Sequence, residues 1–163
     1  MLKLLTCTQF FVDVDSSTVD CDIFFSMRFN SQELKEAAQL VQRELIGRGI
    51  NAVIIDTEQS QNIETTVIRT LEQAKLVLIF GSKDYGVDTK TLYCSFKELE
   101  YTILHDKPFF LIKMCQQFDD ATTRNRLPAS LLTTQWNLGQ PMPVGLIDDI
   151  ETKFRAAVAT TVV

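Results

Sequence analysis

Four short apolar runs constrain the fold more than any other feature of this sequence. They lie at positions 23–25, 52–55, 76–80 and 109–112, and none of them alternates between apolar and polar residues. Continuous runs of this length are typical of strands that are covered on both faces, as in a parallel sheet. The sequence therefore predicts a buried parallel sheet rather than an antiparallel sheet with one face in water.

Segments with helical spacing separate these runs. The predicted helices cover residues 31–48, 62–74, 92–104 and about 146–159. The first is predicted to begin at an Asn30 cap, with Glu33 reaching back toward it, and to end near Gly47 and Gly49. The apolar stripes predicted for the first three helices are Leu34, Ala38, Val41 and Leu45; Ile63, Val67, Leu71 and Ala74; and Leu92, Phe96, Leu99 and Ile103.

Strands that alternate with helices form right-handed βαβ units. We therefore expect an α/β, flavodoxin-like fold: a five-stranded parallel sheet of order 2-1-3-4-5 with helices on both faces. In such a sheet the ligand crevice lies beyond the carboxyl ends of strands 1 and 3, which places residues 26–28 and 81–83 at its rim. Residues 1–20 form an N-terminal extension without an assignment, residues 21–160 form the domain, and 115–132 is a polar connection.

Charge and composition exclude several classes of function. The net charge is −5 and no basic cluster occurs, which argues against nucleic acid as the main partner. No apolar run approaches the roughly 20 residues that span a bilayer, so no membrane contact is expected. The four cysteines form no C-x-x-C pair and indicate reduced thiols in a cytoplasmic protein. A single histidine excludes a histidine-rich metal site, and no metal site is predicted.

Four segments, taken in order, resemble the TIR (Toll/interleukin-1 receptor) domain family. Residues 22–28, D-I-F-F-S-M-R, are similar to the first TIR box, D-V-F-[IL]-S-[YF]-R. Residues 49–58 resemble the second strand and the start of the BB loop, and residues 74–82 resemble the third strand. Residues 94–99, C-S-F-K-E-L, are similar to W-x-x-x-E-[LI], and Trp136 falls where many members have a tryptophan. The resemblance covers residues 22–158.

The resemblance implies an activity and a catalytic residue. Some TIR domains cleave the nicotinamide–ribose bond of NAD+, and the glutamate of W-x-x-x-E, here Glu98, is their catalytic residue. A carboxylate suits that reaction because it can stabilise an oxocarbenium-like centre. The resemblance also implies NAD+ as substrate with no separate cofactor, self-association with other TIR domains, and a role in signal transduction or innate immunity and cell death.

The same resemblance implies a set of substrate-binding residues. They are Ser26, Met27, Arg28, Glu58 and Cys94. Three of them also have a simpler interpretation. Arg28 could be an exposed salt-bridging residue, Glu58 a solvated loop acid, and the Ser26 hydroxyl a partner of nearby backbone. Glu98 itself lies off the predicted apolar stripe of its helix, so a solvent-facing position is the competing interpretation.

Two other functions compete with NAD+ cleavage. The first is a non-enzymatic scaffold that signals through TIR–TIR association. Cys94 at the tryptophan position and the absence of glycine from the BB loop, residues 56–62, favour it, whereas Glu98, Arg28 and residues 56–58 favour the enzyme. The second is a nucleoside-processing, deoxyribosyltransferase-like protein, whose usual acidic and glycine-rich signatures are not evident in the sequence.

Overall fold

The computed structural model describes residues 20–55, 63–90 and 94–161. The strands in these ranges are β1 (Ile23–Ser26), β2 (Ala52–Val53), β3 (Leu76–Gly81), β4 (Phe109–Lys113) and β5 (Thr134–Gln135). The helices are α1 (Gln32–Gly47), α2 (Ile63–Gln73), α3 (Ser95–Leu104), α4 (Ala121–Arg126) and α5 (Leu146–Thr161).

The strands form one parallel sheet in the order β2-β1-β3-β4-β5. This confirms the predicted α/β class, strand order and strand direction. β1 and β3 are neighbours, with Ser26 paired to Ile79, so their carboxyl ends lie side by side. The chain passes from β1 to β2 on one side of β1, and then forms β3 on the other side of β1. This divergence is the usual place for a ligand crevice in open α/β sheets.

Side chains alternate between the two faces of the sheet and form two separate cores. Ile23 and Phe25 of β1 pack with α1 and α5. Phe24 of the same strand packs with α2, with Leu99 of α3 and with Tyr85. Because side chains have a period of two along a strand, Ser26 faces the same side as Phe24. The last residue of β1 is thereby directed toward α2 and α3.

Helix α1 begins one residue later than predicted. Its N-cap is Ser31, whose Oγ accepts a hydrogen bond from the Leu34 amide at 3.4 Å. Asn30 instead donates to the Asp84 carboxylate at 2.5 Å. The predicted cap was therefore wrong, because a tertiary partner engages the asparagine and the adjacent serine serves the helix.

The predicted apolar stripe of α3 was right at Leu99 but wrong at Ile103. The buried face of this helix consists of Ser95, Glu98, Leu99 and Thr102, of which only Leu99 is apolar. Ile103 is 40% exposed and Leu104 is 76% exposed. Leu92 lies outside the described residues. Helix α3 therefore directs a mainly polar stripe toward the sheet, a pattern that a search for apolar periodicity does not detect.

The polar connection predicted over residues 115–132 contains the short helix α4. Asp120 caps it, since its Oδ2 accepts a hydrogen bond from the Thr123 amide at 2.7 Å. Both basic residues of its last turn, Arg124 and Arg126, lie where the helix dipole favours positive charge. Residues 121–126 thus form a short capped helix within this connection.

Cys21, Cys94 and Cys115 are free thiols. Burial raises the pKa of Cys21 to about 12, and the neighbouring Asp22 and Asp20 add to this effect. This thiol therefore stays protonated and unreactive near neutral pH. Across the three described ranges, none of the helices combines the length and the apolar character needed to cross a membrane.

The two-core packing predicts a large loss of stability for Leu78→Ala. Leu78 is fully buried in β3, so its truncation should lower the free energy of unfolding by about 2–5 kcal/mol. Leu132→Ala makes the same chemical change at a fully exposed position and should alter it by less than about 0.5 kcal/mol. Urea unfolding of both variants tests the difference. Equal losses would contradict the assignment of β3 to the core.

Candidate functional site

Three buried polar side chains meet where β1 and β3 end. Ser26 is the last residue of β1, Tyr85 follows β3, and Glu98 lies in the first turn of α3. Ser26 Oγ donates a hydrogen bond to Glu98 Oε2. The Tyr85 hydroxyl lies 2.6 Å from the same Oγ atom. Glu98 is only 3% exposed, while Ser26 and Tyr85 are fully buried. The structure thus brings Ser26 and Glu98 into direct contact.

Donor chemistry gives this chain of three side chains a direction. An ionised carboxylate can only accept, so the single Ser26 proton is used toward Glu98. The Ser26 oxygen can then accept from the Tyr85 hydroxyl, and the chain runs from tyrosine to serine to glutamate. Burial raises the pKa of Tyr85 well above its ordinary value, and the negative charge of Glu98 raises it further, although the Ser26 hydrogen bond offsets part of this rise. The phenol therefore stays protonated and remains a donor at neutral pH.

A second hydrogen bond connects the first turn of α3 to the turn after β3. The Gly86 amide donates to Ser95 Oγ at 3.0 Å, whereas Thr102 Oγ1 donates to the Glu98 carbonyl within α3 at 2.7 Å. Gly86 has a φ of +78°, and a Cβ added there would clash with Thr123 Oγ1. Only glycine satisfies both requirements. The turn after β3 is thereby shaped to place Tyr85 and to receive α3.

A charged cluster lies beside the buried chain and is centred on Asp84. Arg28 Nη1 lies 3.2 Å from Asp84 Oδ2 and also donates to the Asp84 carbonyl at 3.2 Å. Asn30 donates to Oδ2, and Ser82 Oγ donates to Oδ1 at 2.9 Å. The Arg28 and Asp84 side chains are 29% and 30% exposed, so solvent reaches both. This cluster ties the segment after β1 to the segment after β3.

The remaining predicted residues are distributed differently. Met27 is buried in the core that contains α1 and α5, on the other face of the sheet from Ser26. Cys94 is half-buried at the N-cap of α3, where its side chain makes no capping hydrogen bond. Glu58 lies outside the described residues. Trp136 is buried, and its Nε1 donates to the Gln140 carbonyl at 3.0 Å, as a packing residue would. The roles of Met27, Cys94 and Glu58 in substrate binding stay predictions.

The sequence analysis missed Tyr85 and Asp84. Both follow β3 by a few residues, just beyond the residues 81–83 that were predicted to lie at the rim of the crevice. Two signals were available. Ser26 shares the parity of Phe24 along β1, and Ser95, Glu98 and Thr102 recur at positions i, i+3 and i+7 of α3. Together they place a serine and a polar helix stripe on one face of the sheet.

Neither a comparison with models of protein families nor a comparison with curated proteins finds a match for this chain. A flavodoxin-like sheet hosts many unrelated activities. Function must therefore be argued from the chemistry of the site.

The turn that holds α3 predicts a difference between two glycines with similar backbone angles. Gly86 and Gly139 have φ values of +78° and +81°, but an added Cβ at Gly139 meets nothing. Gly139→Ala should lower the free energy of unfolding by about 1–2 kcal/mol through backbone strain alone. Gly86→Ala should lower it by about 1–3 kcal/mol more because of overpacking. Thermal or urea unfolding measures both, and an equal effect would show that the Gly86 turn is not tightly packed.

Proposed function

We propose that this chain is a TIR domain of the NAD+ hydrolase or cyclase type, which cleaves the nicotinamide–ribose bond with Glu98 as its catalytic residue. The products would be nicotinamide and ADP-ribose or a cyclic isomer of ADP-ribose. The observation that carries the proposal is the burial of the Glu98 carboxylate at the carboxyl edge of β1, in contact with Ser26.

The energetics of α3 support a functional interpretation of Glu98. Burying an ionised carboxylate carries an effective penalty of several kcal/mol, and hydrogen bonds offset only part of it. Helix α3 nevertheless buries Glu98 and leaves Leu104 largely in solvent. An apolar residue at position 98 would carry no desolvation penalty for a charge and would stabilise the fold without needing hydrogen-bond partners. Carboxylates held in such positions occur preferentially at functional sites.

The proposed chemistry follows from the charge that develops during the reaction. Nicotinamide leaves as a neutral base, and positive charge accumulates on the ribose carbon and ring oxygen. A carboxylate held in a water-poor environment stabilises that charge more strongly than one in bulk water. Water, or a group of the same nucleotide, then captures the sugar. NAD+ is the substrate and no further cofactor takes part.

Arg28 supports the proposal as a cation that follows β1 directly. It lies two residues beyond Ser26 and is partly exposed. Under the proposal it binds the diphosphate of NAD+ and exchanges part of its contact with Asp84 for phosphate oxygens. Because such a contact acts in the ground state and in the transition state alike, it would contribute mainly to binding.

The decisive variant is Glu98→Gln. The amide oxygen can still accept from Ser26, so the fold should be retained while the charge is lost. We expect nicotinamide release by concentrated or artificially clustered protein to fall by about a hundredfold or more. Glu100→Gln is the matched control, because Glu100 is an exposed residue on the same helix that pairs with Arg126. Equal turnover by wild type and Glu98→Gln, at the same assembly state, would refute the role of Glu98.

A second candidate function is a signalling scaffold that works through association with other TIR domains. The observation that favours it is the exposed apolar end of α3, formed by Ile103 and Leu104. Under this alternative, Glu98 serves only to hold α3 on the sheet. Either function fits a cytoplasmic protein of an immune or cell-death pathway, and the three free cysteines in the described ranges support a reducing compartment.

Self-association through this end of α3 predicts an effect of Leu104→Glu. The variant places a charge in the apolar contact and should weaken concentration-dependent association of the wild type by about tenfold, which corresponds to 1.4 kcal/mol. Leu132→Glu introduces the same charge at a fully exposed leucine elsewhere and should leave association unchanged. Light scattering over a concentration series measures both. A wild type that stays monomeric throughout would contradict the association itself.

A further inference from the structure

We infer that Tyr85 is a positioning residue, which orients the Glu98 carboxylate through the hydroxyl of Ser26. The inference rests on the proposed function and adds to it a residue that lies away from the reacting atoms. Tyr85 is fully buried, and its hydroxyl contacts Ser26 rather than Glu98. It therefore acts through another side chain and is not itself a catalytic residue.

The three side chains come from three separate segments of the chain. Ser26 belongs to β1, Tyr85 to the turn after β3, and Glu98 to α3. The Tyr85 ring belongs to the buried core that contains Phe24 of β1, Leu99 of α3 and Phe118 after β4, so its position is set by packing from several elements. Glu98, in contrast, has a flexible side chain with several rotatable bonds. The hydrogen bond from Ser26 fixes its Oε2 relative to the sheet.

Tyr85 matters because Ser26 has only one proton. A serine hydroxyl can rotate about its Cβ–Oγ bond, but its single proton is held toward the carboxylate, which can only accept. The donor from Tyr85 fills the acceptor side of Ser26 and so reinforces this arrangement. Hydrogen bonds in such a chain also polarise one another in a medium of low dielectric constant. Loss of the Tyr85 hydroxyl should thus weaken the hold of Ser26 on Glu98.

Several charged groups on the surrounding elements form ion pairs with one another. Arg28 after β1 pairs with Asp84 beside Tyr85. On α3 itself, Lys97 pairs with Glu64 at 3.5 Å and Glu100 pairs with Arg126 at 3.5 Å. The negative charge of Glu98 raises the pKa of the Tyr85 phenol, so these two groups interact electrostatically in the core. The variants below remove hydroxyl groups and leave all of these charges in place.

The test is a double-mutant cycle in NAD+ turnover with Tyr85→Phe, Ser26→Ala and the double variant. Tyr85→Phe should lower kcat by about tenfold with KM changed by less than about twofold, because only the alignment of Glu98 is disturbed. Ser26→Ala should lower kcat by about tenfold to a hundredfold. The double variant should be no slower than Ser26→Ala, since Tyr85 acts only through Ser26.

The pH profile provides a readout that a merely structural role would not change. A hydrogen bond donated to a carboxylate favours its charged form. Removing that donor in Ser26→Ala should move the acidic limb of the pH–rate profile to higher pH, and Tyr85→Phe should move it in the same direction by less. Thr70→Val is the matched control. It removes a buried hydroxyl, which donates to the Thr66 carbonyl of α2, and should leave kcat and the profile unchanged.

The outcomes separate this inference from the proposed function. Additive effects in the double variant, or an acidic limb that does not move, would overturn the positioning role while leaving an active Glu98 in place. A loss of kcat in Thr70→Val equal to that in Tyr85→Phe would attribute both to general loosening and would also overturn it. A clustered wild type that releases no nicotinamide would overturn the proposed function, and this inference with it.

Discussion

The hydrogen bond between Ser26 and Glu98 joins the central sheet to α3, and much of the local structure depends on it. A carboxylate enters a protein interior only with polar partners around it. Here the partner is the final residue of β1, which faces α3 because of the two-residue period of the strand. The position of Glu98 thus follows from the register of β1. A shift of that strand by one residue would direct Met27 toward α3 instead.

This contact also explains why α3 differs from the other helices. Helices α1 and α2 bury apolar residues at helical spacing, including Leu34, Val41 and Leu71. Helix α3 buries Ser95, Glu98 and Thr102 beside a single apolar residue, Leu99. Each polar group on that face has a hydrogen-bond partner, so little desolvation penalty is left uncompensated. Two of these hydrogen bonds, to Ser26 and to Gly86, connect α3 to the rest of the fold.

The fold could be predicted from the sequence because apolar runs that indicate strands alternate with apolar stripes that indicate helices. Three of the four runs became strands at nearly the predicted positions, and the run at 52–55 shortened to the two residues of β2. The site was predicted in part. The resemblance selected Glu98 and Ser26 separately, whereas their contact depends on strand parity and on an unusual helix face. Periodicity arguments count apolar residues, so they treated the polar face of α3 as solvent-exposed.

The electrostatics of this edge agree with the kind of substrate that the proposal requires. NAD+ carries a positive nicotinamide ring at one end of its ribose and a diphosphate at the other. The edge of β1 presents a buried carboxylate in Glu98 and, two residues beyond Ser26, the guanidinium of Arg28. Asp84 holds that guanidinium through both its carboxylate and its backbone carbonyl, so the cation is oriented before any ligand arrives. Pre-oriented groups lose little conformational entropy on binding. A net charge of −5 would repel a polyanion, but it would not prevent binding of a small nucleotide whose own charges are of both signs.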